Sequence, residues 1–205
     1  MRPIEQKADS VLLGTAALLS ALGLTILIRA AGDPLALTAV SVYGATLVIA
    51  YCCSGLYEAR IGSAKSIAVF RALDHSTIFL LIAGTYTPIC ALALADRGGW
   101  WVLAANWGVA LTGISVRLIW LRRPRHWPPT LYLMQGLIGV PWVPALLHSA
   151  GVETMALIAA GGAVYTVGIL FYLWRGFRYG TLTWHLFVVT GSLCHFFAVM
   201  RLVRG

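Results

Sequence analysis

Seven apolar stretches, each long enough to cross a lipid bilayer, recur along this chain at 11–28, 37–57, 76–95, 100–120, 130–147, 154–174 and 184–203. A hydrocarbon core about 30 Å thick takes roughly 20 residues of helix, and the connections between the stretches are too short for a separate soluble domain. With 60% hydrophobic and 11% charged residues and a mean hydropathy of +0.83, the chain has too little polar surface to solvate a globular fold. The expected architecture is all-α: one seven-transmembrane-helix bundle over residues 1–205 of an integral membrane protein. A membrane barrel would show short alternating strands instead. Pro88 in the third stretch and Pro141 and Pro144 in the fifth interrupt the helical hydrogen-bond ladder and predict kinks. The fifth stretch, rich in proline and glycine, also admits a re-entrant reading, which would leave six spans. Arg2 and Lys7 ahead of an apolar run resemble a signal peptide, but the run is longer than an ordinary secretory core and reads as a retained first helix.

The basic residues sit at the ends of these stretches. Eleven fall on one side (Arg2, Lys7, Arg60, Lys65, Arg71, Arg117, Arg122, Arg123, Arg125, Arg175 and Arg178) and four on the other (Arg29, Arg97, Arg201 and Arg204). The positive-inside rule then predicts a cytoplasmic N-terminus and an extracytoplasmic C-terminus, as an odd number of spans requires. The net charge of +8 is explained by basic loops facing an anionic leaflet, so no nucleic-acid partner is expected. Cys52, Cys53, Cys90 and Cys194 all lie inside predicted spans without a Cys-x-x-Cys pair and read as packed free thiols. Trp100, Trp101, Trp120, Trp127, Trp174 and Trp184 fall near span ends, where interfacial anchors belong. Glycines at 108, 113, 136, 139, 161, 162 and 168 predict close helix contacts.

The chosen orientation brings sequence-distant polar groups to one membrane depth. Ser54 and Glu58, spaced i and i+4, share a face at the end of the second span. Asp74 and His75 open the third, and His185 opens the seventh, one turn after Thr181. Two carboxylates and an imidazole meeting there could hold a metal ion or relay a proton. Asp74 also admits a plainer role as the cap of the third helix. His75 points about 100° away from Asp74 and is expected to bond a neighbouring helix. His195 lies about 15 Å deeper than His185, too far to join the same site, and reads as an interhelical hydrogen bond. His126 and His148 fall in predicted loops.

The run Arg71-Ala72-Leu73-Asp74-His75-Ser76 resembles the hemolysin III family, the bacterial branch of the progestin and adipoQ receptor superfamily. The resemblance extends from Glu5-x3-Asp9 through Ser54-Gly55-Leu56-Tyr57, Leu131-Tyr132-Leu133-Met134 and His185-Leu186-Phe187-Val188 to Gly191-Ser192 and His195-Phe196. It implies a multi-pass protein of the bacterial inner membrane whose partner is membrane lipid. In the superfamily three histidines bind zinc, and an Asp orients a zinc-bound water that attacks a lipid amide. Carried over, the resemblance implies Glu58 and His185 as metal ligands, Asp74 as the residue positioning water, and Ser54 as its support. Two histidine positions are occupied by Glu58 and Thr181, and Leu13 stands where the first span commonly carries a His. A carboxylate-rich set suits Mg²⁺, Mn²⁺ or Fe²⁺ as readily as Zn²⁺. The resemblance thus implies a metal-dependent intramembrane hydrolase in membrane-lipid or membrane-energetics homeostasis. The competing reading is a non-enzymatic pore or regulator with a metal-free site, in which Glu58 bonds Ser54 or Thr181 or pairs with Arg60 or Arg71.

Overall fold

The computed structural model describes residues 3–119, 130–174 and 176–205. Arg2, Arg122, Arg123, Arg125, Arg175, Trp120, Trp127 and His126, all used in the sequence reading, lie outside the described residues. The fold is all-α: α1 (Pro3–Ala30), α2 (Pro34–Ala59), α3 (Ala64–Pro88), α4 (Gly99–Ile119), α5 (Thr130–Gly136), α6 (Val143–Leu173) and α7 (Gly180–Arg204). Among the described residues six helical stretches are long and apolar enough to cross a membrane. The fifth of them merges residues expected to form two spans into one run, Thr130–Leu173.

Local chemistry sets the boundaries. Asp33 caps α2, its Oδ1 accepting from the backbone N–H of Leu35 at 2.8 Å and of Ala36 at 2.9 Å, with Pro34 in the first turn. The helix closes at Arg60 in the left-handed region, φ 52°. Ser63 caps α3 by accepting from Ser66 N. This corrects the reading of Asp74 as a cap: α3 begins at Ala64, so Asp74 lies nearly three turns inside the helix. Lys65, Ser66 and Arg71 lower the hydropathy of those first turns, but nothing in them breaks a helix. Past Pro88, which has no N–H to give the ladder, the chain widens into a π-helical turn over Ile89–Ala93.

The helices pack side by side, α1 on α2 and α7, α2 on α3, α3 on α4 and α6 on α7. Tyr43, Leu27, Val40 and Val199 fill the seam among α1, α2 and α7, while Phe79, Ala110 and Tyr132 join α3, α4 and α5. Of the glycines expected at contacts, Gly113 faces Phe79, Gly139 faces Tyr86, Gly161 faces His195 and Gly168 faces Phe187, each close enough that a Cβ would collide. Gly108, Gly136 and Gly162 instead look onto open space. The outer surface is apolar, as at Leu18, 75% exposed, and it meets the aromatic Trp101, 80% exposed, at the start of α4. Such a surface suits hydrocarbon and an interfacial anchor.

The fifth stretch is broken rather than continuous. The α5 helix stops at Gly136, and the hydroxyl of Tyr86 on α3 donates to Gly136 O at 2.6 Å while accepting from Gly139 N at 3.0 Å. One side chain thereby satisfies a carbonyl and an amide that the break releases. Gln135 adds bonds to Phe79 O at 3.1 Å and Asn106 Oδ1 at 2.9 Å. Further on, Trp142 Nε1 donates to Arg97 O at 3.0 Å and Arg97 Nη2 to His148 Nδ1 at 3.0 Å. His148 is therefore helical, within α6, and not in a loop. Residues 132–148 thus advance alongside α3 in its own direction. At Gly151 the backbone leaves the helix, φ 79° and ψ 166°, a conformation open to glycine. Beyond it Glu153 pairs with Arg201, Ile158 meets His195, and Tyr172 meets Trp184, so this part of α6 runs antiparallel to α7.

Candidate functional site

One end of the bundle gathers its acids and an imidazole. In α1, Glu5, Asp9 and Leu13 follow one another at i, i+4 and i+8, and all three are buried. Asp9 is 0% exposed, and His185 Nδ1 donates to its Oδ1 at 2.6 Å across 176 residues of sequence. The second oxygen of Asp9 has no hydrogen-bond partner among the described residues. Asp9 is the residue that sequence reasoning missed. It entered only as part of a recognised pattern, although an acid one turn from Glu5 and one turn from a buried leucine marks a face turned inward.

The expected partners from α2 and α3 do meet. Ser54 Oγ donates to Asp74 Oδ1, and Asp74 Oδ2 lies 3.4 Å from His75 Nδ1. That same nitrogen donates to Arg71 O at 2.8 Å, so His75 bonds its own helix, contrary to the expectation of an interhelical bond. Its backbone carbonyl makes the interhelical contact, accepting from Tyr132 at 3.2 Å. Glu58, 3% exposed, sits near enough to Asp9, His185 and Asp74 for its charge to interact with all three. Its Oε2 is buried without a hydrogen-bond partner among the described residues, and none of the partners expected for it (Ser54, Thr181, Arg60, Arg71) bonds that oxygen. Removing two charges from water is repaid only by close pairing. Asp9 with His185 and Asp74 with Ser54 and His75 have that pairing, which the Oε2 of Glu58 lacks among the described residues.

A cavity of about 790 Å³ opens from this cluster into the bundle. Glu58, Asp74 and His185 line its polar end together with Arg60 and Arg71, and apolar side chains such as Leu81, Ile82, Ile89, Val143 and Leu146 line much of the rest, with His195 and Tyr165 among them. The lining is thus charged at one end and largely apolar between α3, α6 and α7.

A catalytic zinc takes about three protein ligands, mainly His and Cys, with one open position. Among the described residues the only imidazole at the cluster besides His75 is His185, whose Nδ1 is held by Asp9, so the set offers Nε2 of one histidine where a zinc centre takes several His or Cys ligands. Asp74 is committed to Ser54 and His75. Among the described residues no group of three or more His, Cys, Asp or Glu is placed to hold a metal. The residues present do not fit the zinc centre implied by the resemblance, and no step is derived through one.

Sequence comparison agrees with the resemblance. A family profile described as haemolysin-III related matches residues 11–196. Hemolysin-3 of Bacillus cereus is 36% identical over 199 residues, which span 96% of this chain and 90% of the relative. The hemolysin-3 homolog of Bacillus subtilis (strain 168) is 31% identical over 96% of this chain and 93% of its own length. The human monocyte to macrophage differentiation factor is more distant, 25% identical over 64% of this chain and 55% of the relative.

Proposed function

This chain belongs to the haemolysin-III-related family, and from that premise we propose that it is a metal-independent lipid-handling protein of the bacterial inner membrane. It would admit a single-chain amphiphile, such as a long-chain fatty acid, with the headgroup at Glu58, Asp74 and His185. The observation that carries the reading is the continuity of the polar cluster with an apolar cavity large enough for an acyl chain. Arg60 and Arg71 at the same end supply cations for an anionic headgroup. Ser54 and Asp74, bonded to each other, hold acceptor oxygens at fixed positions beside it. A water-filled pore would need a polar wall where Leu81, Ile82 and Leu146 stand.

The proposal includes seven membrane passes, with the N-terminus in the cytoplasm. Support comes from the opposite courses of residues 132–148 and 158–172 on either side of Gly151, and from the excess of basic residues on one side. A continuous run over Thr130–Leu173 would be about twice the length one pass requires.

Gly162 offers the test. It lines the cavity, and a Cβ there meets nothing, so Gly162→Phe adds bulk at the cavity wall where the backbone tolerates a side chain. Titration of stearate into purified protein in nanodiscs should show saturable binding that Gly162→Phe abolishes while the unfolding temperature is kept. Equal stearate binding by the parent and Gly162→Phe would refute the assignment of the cavity.

A further inference from the structure

Part-way along the cavity lies a second polar group that the headgroup cluster does not use. His195 on α7 follows His185 by ten residues, which places it about 15 Å further along the helix. Its Nε2 lies 3.3 Å from Ile158 O on α6. A carbonyl only accepts, so Nε2 carries the proton and Nδ1 is a bare acceptor. That Nδ1 is buried with no hydrogen-bond partner among the described residues, yet the side chain, 9% exposed, lines the cavity. The ring cannot turn away freely: a Cβ on Gly161 would come within 2.7 Å of His195 Nε2, so the imidazole is seated against the backbone of α6.

A tyrosine ring packs on the imidazole, and its hydroxyl belongs to a small network on the same wall of the cavity. The Tyr165 ring packs 5.3 Å from the imidazole centroid. Its hydroxyl is 2.9 Å from Ser192 Oγ, and Tyr51 donates to the same Ser192 at 2.8 Å. Both tyrosines line the cavity, with Ser192 joining them. A buried acceptor left bare in apolar surroundings is costly, and the group that relieves it must bring a proton. An alcohol does so, and its oxygen can in turn accept from a tyrosine hydroxyl. A ketone brings no proton, and a plain acyl chain brings nothing.

We infer that His195 Nδ1 and Tyr165 form a second subsite, which selects a long-chain lipid carrying a hydroxyl about 15 Å from its headgroup. The inference rests on the cavity being a lipid site. It adds that the site discriminates among lipids by a polar group on the chain, and that the discriminating residue is on α7.

The experiment titrates the parent, His195→Phe and Tyr165→Phe in nanodiscs of one composition with two probes: stearic acid, and stearic acid bearing a hydroxyl about two thirds of the way along the chain from its carboxyl. The expected result is that the parent binds the hydroxylated acid about five- to tenfold more tightly, the worth of one good buried hydrogen bond. His195→Phe should lose that preference while still binding stearic acid, and Tyr165→Phe, which keeps its ring, should reduce it. Tyr165→Phe keeps the test open should His195→Phe fail to fold. Equal affinity of the parent for the two acids would overturn the subsite and leave the lipid reading standing, with water alone satisfying Nδ1. Binding of neither acid would overturn both.

Discussion

The pairing of Asp9 with His185 ties the first helix to the last, and its removal should be costly in a defined way. Asp9 is 0% exposed and His185 is 7% exposed, with Nδ1 2.6 Å from Oδ1. Asp9→Ala leaves a buried imidazole without its acceptor. His185→Ala leaves a carboxylate with both oxygens unbonded, since Oδ2 already has no hydrogen-bond partner among the described residues. Breaking one side of a buried charged pair costs about 3–5 kcal/mol, more than the net worth of the pair, because the survivor stays desolvated. The double variant removes both groups and escapes that penalty. Its cost should fall short of the sum of the singles by about 2 kcal/mol, within the range seen for contacting residues. The assay is unfolding in mixed micelles at increasing denaturing detergent, followed by circular dichroism, for the parent, both single variants and the double. Additivity within about 0.5 kcal/mol would mean that the two groups do not interact, and the site as described would be wrong.

Tyr86→Phe should destabilise the protein by about 1–2 kcal/mol, because the broken fifth stretch loses bonds at Gly136 O and Gly139 N; hydrogen exchange at Gly139 should rise with it, and unchanged exchange would refute the bridging role. Gly84→Ala should cost about 1–3 kcal/mol, since its Cβ would lie 1.9 Å from Thr46 Oγ1 at the contact of α2 and α3. Gly162→Ala meets nothing and should be neutral or gain up to about 1 kcal/mol from helix propensity, so thermal shifts of the same sign in both alanine variants would contradict the packing. A reporter active only in the cytoplasm, fused after Gly205, should be silent, and a strong signal would remove the seven-pass topology.

The membrane class of the fold was legible because hydropathy alone carries it, and depth and helical spacing alone place Ser54, Glu58, Asp74 and His185 at one end of the bundle. What hydropathy cannot report is where a helix begins when its first turns are polar. Lys65, Ser66 and Arg71 hid the start of α3, and Asp74 looked like a terminus when it is interior. The prolines and glycines of the fifth stretch announced a break, but the group that makes the break tolerable, Tyr86, comes from another helix. Asp9 was hidden for the same reason. Its partner lies 176 residues away, and no local pattern encodes a contact of that range. The interior position of His195 was expected to serve an interhelical bond, and it does, to Ile158 O. Its second nitrogen became informative only once the cavity beside it was visible.

The central claim is that the cluster of Asp9, Glu58, Asp74 and His185 heads a lipid cavity and works without a metal. Native mass spectrometry of the purified chain, released from detergent after incubation with zinc and stearate together, reads both ligands in one spectrum. The account predicts one added mass of stearate per chain and no stoichiometric zinc, with stearate lost in Gly162→Phe. One zinc per chain that disappears in His185→Ala, with no retained stearate, would contradict it.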